Sequence, residues 1–285
     1  MAFHLANFGF RAAGWRNVLR AAYPDRRVPL LGIAGAYAAG VAINSFTPAR
    51  GGDAVKVALV RARIPGSSVP TIASTMGVVS ALDAVVAATA IGVLSVLGLL
   101  PAPPGLPQLP GGVTIVTDHT VMAAAAGLAV AALAVAFGRR LAPRLHRIWV
   151  DLKAGTAILA TPRRYATQVV PLQLSAWTCR IGAAYFLLAA FGVPATIPSA
   201  VIVVVVGGLS TLVPTPGGVG TQQLFVAYFL HATASTATLV AFSIGMQATV
   251  TTVNIALGLA ATMLMLRTML PGRALRAAVQ RTRES

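Results

Sequence analysis

Val201-Ile-Val-Val-Val-Val-Gly-Gly-Leu-Ser-Thr-Leu-Val213 runs straight into Pro214-Thr-Pro-Gly-Gly-Val-Gly220. The run is continuous, with no period-two alternation, so it reads as helix and not as a barrel strand. In hydrocarbon the backbone must satisfy its own hydrogen bonds, which leaves helices or closed barrels. Outward from this stretch, windows 68–100, 119–137, 166–191 and 235–266 each hold the roughly 20 apolar residues a membrane-spanning helix needs. Across 285 residues 56% are hydrophobic and only 10% charged, against about 25% charged in soluble domains. The expected fold is an all-α integral membrane protein, a polytopic helix bundle.

The net charge of +16 raises nucleic acid as a partner, and its distribution argues against one. Five Lys and Arg fall in 11–27, four in 50–63, seven in 139–164 and five in 267–283, with Arg180 alone. Basic blocks between apolar spans follow the positive-inside rule and suit anionic headgroups. No stacking-aromatic pattern accompanies them. The basic loop 139–164 is therefore placed in the cytoplasm, 119–137 crosses as a linking helix, and the uncharged Pro-rich loop 101–112 faces outward. The tail 267–285 is cytoplasmic. Residues 1–27, with Arg11, Arg16 and Arg20 between apolar residues, read as an amphipathic helix on the membrane surface. Trp15, Trp149 and Trp177 read as interfacial anchors.

Two stretches do not fit as simple spans. Segment 28–48 lies between basic clusters, and 196–213 with 221–232 must fit an excursion that begins and ends outside. Re-entrant, broken-helix segments resolve both. The excursions share Thr47-Pro48 and Thr215-Pro216, each followed by a short helix and then a long one starting near Ser67 and Ser235. Both pairs of landmarks are 168 residues apart. A first repeat over 28–100 and a second over 166–266, of opposite orientation, make an inverted repeat of the kind found in secondary transporters. On this reading 166–191 lacks a counterpart before residue 28, so either the first half is atypical or a helix precedes the chain.

Asp83 and Arg180 lie deepest in apolar windows, where a charge needs a partner or a wet cavity. An Asp83–Arg180 pair is expected, either as a structural bridge or with Arg180 contacting a phosphate. The Pro-Gly-Gly turn at Gly217 and Gly218 would leave backbone N–H groups open where a helix restarts, a setting that attracts anions. Asp53 caps the helix after Gly51-Gly52 or holds an ion, Lys56 lies one turn on, and Asn44 can bond freed backbone groups. No histidines sit at ligand spacing with a carboxylate, so neither a metal nor a cofactor is expected. No Ser-His-Asp set, phosphate loop or dinucleotide fingerprint appears, so no catalytic residue is expected and the chain does not read as an enzyme. Cys179 reads as a small packing residue.

Asn44-Ser-Phe-Thr-Pro48-Ala-Arg-Gly51-Gly52-Asp53, with Lys56, Asp83 and the later Pro214–Gly220 turn, resembles the flippase-like transmembrane domain of the lysylphosphatidylglycerol synthase family over roughly residues 11–270. The soluble synthase domain of that family is absent from this sequence. The resemblance implies a multi-pass protein of the cell membrane that binds and flips a lipid between leaflets. Where the family carries Glu-Arg before the matched Asp, this chain has Val79 and Ser80. Gln223 stands in place of a Glu and Gln247 in place of an Arg, and both are carried over as candidate lipid-site positions. The expected cargo is an anionic phospholipid or a polyprenyl-phosphate-linked lipid. The alternative is a non-transporting membrane partner of a lipid-modifying enzyme or glycosyltransferase.

Overall fold

The computed structural model describes residues 1–47, 51–100, 149–211, 215 and 218–284, with side chains through 265. The expected loop 101–112, the helix 119–137, Pro48, Pro214 and Gly217 lie outside the described residues. Among the described residues there is helix and no strand. The order is α1 (Ala2–Ala22), α2 (Leu30–Asn44), α3 (Gly51–Arg63), α4 (Val69–Val96), α5 (Pro162–Gln168), α6 (Val170–Ala190), α7 (Ile197–Ser210), α8 (Thr221–Phe229) and α9 (Thr236–Glu284). A further helical stretch covers 149–155, and a 3-10 turn covers Ala157–Ala160.

Two of these helices, α4 and the Thr236–Met265 part of α9, are long and apolar enough to cross a membrane. At 1.5 Å per residue α4 is about 42 Å long. It is one unbroken helix. Its outward residues are large and apolar, Val85, Val93 and Val96 among them, as are Ile244, Leu259, Met263 and Leu264 on α9. Apolar faces of that extent are stable in hydrocarbon and costly in water. The protein is a membrane protein.

The two long helices start with the same local device. Ser68 Oγ accepts the Thr71 N–H at 3.2 Å, and Ser235 Oγ accepts the Thr238 N–H at 3.2 Å. Each hydroxyl satisfies one of the free N–H groups of the first turn. Around them the element order repeats. A helix of 21 residues, two short helices and a long helix make up α1 to α4, and α6 to α9 repeat that order. The starts Ala2 and Val170, Leu30 and Ile197, Gly51 and Thr221, and Val69 and Thr236 are separated by 168, 167, 170 and 167 residues.

The apolar core is divided. One cluster gathers Trp15, Leu19, Ile33, Val60, Ile64, Ile72 and Ile158, and marks what we call the Ile72 end. The other gathers Leu94, Leu188, the valines 203–206, Leu230, Leu239 and Phe242, and marks the Leu188 end. Chain directions follow from these memberships. α4 and α6 run from the Ile72 end to the Leu188 end, whereas α1 and α9 run the other way. α2 runs from the Ile72 end to the middle, where Asn44 meets Gly52, and α3 returns to the Ile72 end. The α7–α8 hairpin starts at the Leu188 end, turns near the middle and returns. Helices of 15, 13, 14 and 9 residues reach only about 22, 20, 21 and 14 Å, short of a 30 Å hydrocarbon core.

α1 corrects the expected surface placement of residues 1–27. It packs along α6 and against α2 and α4, with Ala12, Trp15, Val18 and Leu19 buried. The physical reason is its periodicity. Asn7, Arg11, Trp15 and Val18 share one face at helical spacing, while Arg16 and Arg20 lie on others. A stripe of that kind needs no continuous apolar run. Two further boundaries differ. The window 166–191 divides at Val169 into α5 and α6, and α9 continues as helix through the basic segment after 266.

α2 is held through small residues. A Cβ on Gly258 of α9 would meet Ala42 and the Ala38 carbonyl, and one on Gly35 would meet Met265. On the other side, a Cβ on Gly52 would run into the Gly40 carbonyl oxygen, so the α2–α3 hairpin closes backbone to backbone. Small residues permit such close approach where apolar burial drives little association.

Candidate lipid-binding cavity

Between the two apolar clusters lies a cavity of about 830 Å³, lined from α1, α2, α3, α4, α6, α7, α9 and the turn before α8. Asp83 lines it for a simple reason. On α4, Val78 and Val79 belong to the Ile72-end cluster and Val86 packs on the other, so Asp83 falls in the gap.

The expected Asp83–Arg180 pair does not form. Arg11 Nη2 donates to Asp83 Oδ2 at 2.7 Å as an ion pair. Trp177 Nε1 donates to Asp83 Oδ1 at 2.8 Å, and Gln173 Nε2 does so at 3.2 Å. Three donors from α1 and α6 therefore satisfy one carboxylate on α4, which offsets the cost of burying it. Arg180 instead stacks its guanidinium over the Trp177 ring, 4.9 Å from the ring centre, and lines the cavity. No carboxylate among the described residues pairs with it.

A second polar group sits at the turn of the α2–α3 hairpin. Lys56 Nζ donates to Asp53 Oδ1 at 2.7 Å and lies 4.9 Å from the centre of the Tyr37 ring. Asn44 Nδ2 donates to the same Asp53 oxygen at 3.2 Å. Its Oδ1 accepts the Gly52 N–H at 2.7 Å, so one of the free N–H groups at this helix start is taken. At the second turn the Gly220 N–H is likewise taken, by Gln223 Oε1 at 2.7 Å. Gly218, at φ +76°, lines the cavity beside Ser210. An L side chain rarely adopts that φ, which is the reason for a glycine there.

Of the residues expected at the site, the cavity brings together Asn44, Asp53, Lys56, Asp83, Arg180 and Gly218. Gln223 and Gln247 are not among its lining residues. They bond to each other instead, Gln223 Nε2 donating to Gln247 Oε1 at 2.6 Å, and tie α8 to α9.

Sequence reasoning missed Arg11, Trp15, Tyr37, Trp177, His4, Asn7 and Asn254. Trp15 is no interfacial anchor, since its Nε1 donates to Thr75 Oγ1 at 3.0 Å in a buried position. Trp177 is 6% exposed and serves Asp83. Only Trp149, 65% exposed, is placed as an anchor would be. His4 Nε2 and Asn254 Oδ1 lie 2.9 Å apart and join α1 to α9 across the cavity rim. The signal for His4, Asn7, Arg11 and Trp15 was their spacing of three and four residues. For Tyr37 and Asn254 the sequence held none.

Three cations, Arg11, Lys56 and Arg180, thus face two carboxylates, both already engaged. The surplus cation is Arg180, in a cavity inside an apolar bundle. No curated protein and no solved structure matches this chain. Residues 1–258 match the model of the lysylphosphatidylglycerol synthase TM region, and the chain belongs to that family.

Proposed function

We propose that this protein binds an anionic phospholipid or polyprenyl-phosphate-linked lipid in the central cavity and moves it between the leaflets of the cell membrane. The observation that carries the reading is Arg180, a cation on the wall of the cavity with no carboxylate partner among the described residues. A lipid phosphate supplies the missing counter-charge.

The arrangement of the chain suits movement of a ligand across the bilayer. The basic residues Arg26, Arg61, Arg63, Lys153 and Arg163 group with the Ile72 end, while 94–100, 188–199 and 230–239 carry no Lys or Arg. By the positive-inside rule the Ile72 end is cytoplasmic. The α2–α3 hairpin is then re-entrant from the cytoplasm and the α7–α8 hairpin from outside, in an inverted repeat with the cavity at the interface. Each hairpin separates the cavity from one side, and moving them in turn gives alternating access.

A flip assay with fluorescent anionic lipid in proteoliposomes tests this. The purified chain should accelerate movement on its own, and Arg180→Gln should slow it about tenfold or more, the loss expected for one charge-assisted contact. An inert wild-type protein that still retains lipid would favour the alternative, a non-transporting partner of a lipid-modifying enzyme.

A further inference from the structure

We infer that the first turn of α8 is the outer gate of the cavity, hinged at Gly218 and Gly220 and latched to α9 by Gln223. This rests on the transport reading above and deepens it by naming the part that moves.

The two hairpins are held in different ways. In the first, a Cβ on Gly40 would meet Lys56 and the Gly52 carbonyl, and one on Gly52 would meet the Gly40 carbonyl. Packing that close leaves α3 no room to move on α2, so the pair can shift only as one body. α8 is held more lightly. Val226 is its one buried residue, and Leu224 is 70% exposed. Phe225, Val226 and Phe229 pack in the Leu188-end cluster, which anchors the later part of the helix and not its first turn. Ahead of that turn, Gly218 and Gly220 stand at φ +76° and +86°, and a Cβ on Gly220 would meet nothing within 4 Å among the described residues. Glycine reorients there at little steric cost, and hinges are commonly a few residues at the end of an element.

Gln223 fixes the turn with both ends of its amide. Oε1 accepts the Gly220 N–H at 2.7 Å, and Nε2 donates to Gln247 Oε1 on α9 at 2.6 Å. The orientation is set by the backbone. An N–H can only donate, so oxygen faces Gly220 and nitrogen is left for Gln247. The same turn carries part of the cavity wall. Thr215 and Gly218 line the cavity, Thr221 Oγ1 donates to the Gly218 carbonyl at 3.1 Å, and Thr221 Oγ1 lies 3.4 Å from Thr215 Oγ1. Releasing Gln223 from Gln247 therefore frees a section of wall and leaves the apolar packing of α8 in place. Behind that section lies Ser210, 1% exposed, whose Oγ would stand 3.1 Å from a Cβ on Gly218. Access to position 210 reports whether the gate is open.

The test follows the reaction of Ser210→Cys, in a Cys179→Ala background, with a water-soluble thiol reagent on the purified chain in nanodiscs. Ser67→Cys in the same background, at a position 7% exposed near the Ile72 end, reports general loosening. Gln247→Met removes the latch and leaves Gln223 on the Gly220 N–H. It should speed labelling at position 210 about fivefold or more, the factor of one neutral hydrogen bond, with position 67 unchanged. Gln247→Glu keeps an acceptor for Gln223 Nε2 and should label position 210 no faster than the parent. An unchanged rate in Gln247→Met overturns the latch. So does an equal rise at position 67, or a rise in Gln247→Glu that matches Gln247→Met. If position 210 responds as expected while neither parent nor variants move lipid in proteoliposomes, the gate stands and the transport reading fails.

Discussion

Arg11 and Arg180 line one cavity, yet neutralising them should have unequal consequences for stability. Arg11 is 14% exposed and its partner Asp83 23%, with a 2.7 Å contact between them. Breaking a buried pair by removing one partner costs about 3–5 kcal/mol, and the partial exposure towards the cavity lowers this to roughly 2–3 kcal/mol. Trp177 and Gln173 still donate to the carboxylate in Arg11→Gln, which keeps the loss at the lower end. Arg180→Gln loses only the contact with the Trp177 ring, roughly 0.5–2 kcal/mol, and relieves an unpaired, partly desolvated charge. Its net effect should fall within about 0.5 kcal/mol of zero. Unfolding titrations in bicelles with rising dodecyl sulfate, arranged as double-mutant cycles with Asp83→Asn, separate the two. The Arg11–Asp83 coupling should be about 1.5–2.5 kcal/mol and the Arg180–Asp83 coupling below about 0.5 kcal/mol. A larger coupling for Arg180, or an equal cost for the two single variants, would refute the assignment of Arg180 as the surplus cation.

Gly52→Ala should destabilise the fold by about 2 kcal/mol or more in the same titration, since its Cβ meets the Gly40 carbonyl and Asn44. Gly77→Ala, exposed on α4 with nothing within 4 Å of the new methyl, should be neutral or stabilising by about 0.5–1 kcal/mol. Asn44→Ala should cost about 1–2 kcal/mol by freeing the Gly52 N–H and one Asp53 contact, and hydrogen exchange should show the start of α3 opening first. Single cysteines at Gln108 and Gln280 in a Cys179→Ala background should react with an impermeant thiol reagent from opposite sides of the membrane. Labelling of both from one side contradicts the orientation.

Membrane class was legible in the sequence because hydropathy and charge distribution act residue by residue. The windows at 68–100 and 235–266 meet α4 and α9, and Val201–Val206 is helix, since a continuous apolar run of that length has few other solutions. α1 was not legible in the same way. Its buried face is a stripe of mixed polarity, and hydropathy averaged around a helix cannot separate such a stripe from a surface helix. Only packing against α6 shows that Asn7, Arg11 and Trp15 point inward.

Which charges meet was likewise settled in three dimensions. The sequence established that Asp83 and Arg180 each needed a partner or water, because a buried charge has no third option. It could not say that Arg11, 72 residues before Asp83, would take the carboxylate. Pairing depends on which helix faces turn towards each other and at what height, and neither is written in the separation along the chain. Tertiary packing therefore decided that Arg180 is left as the surplus cation on the wall of a cavity.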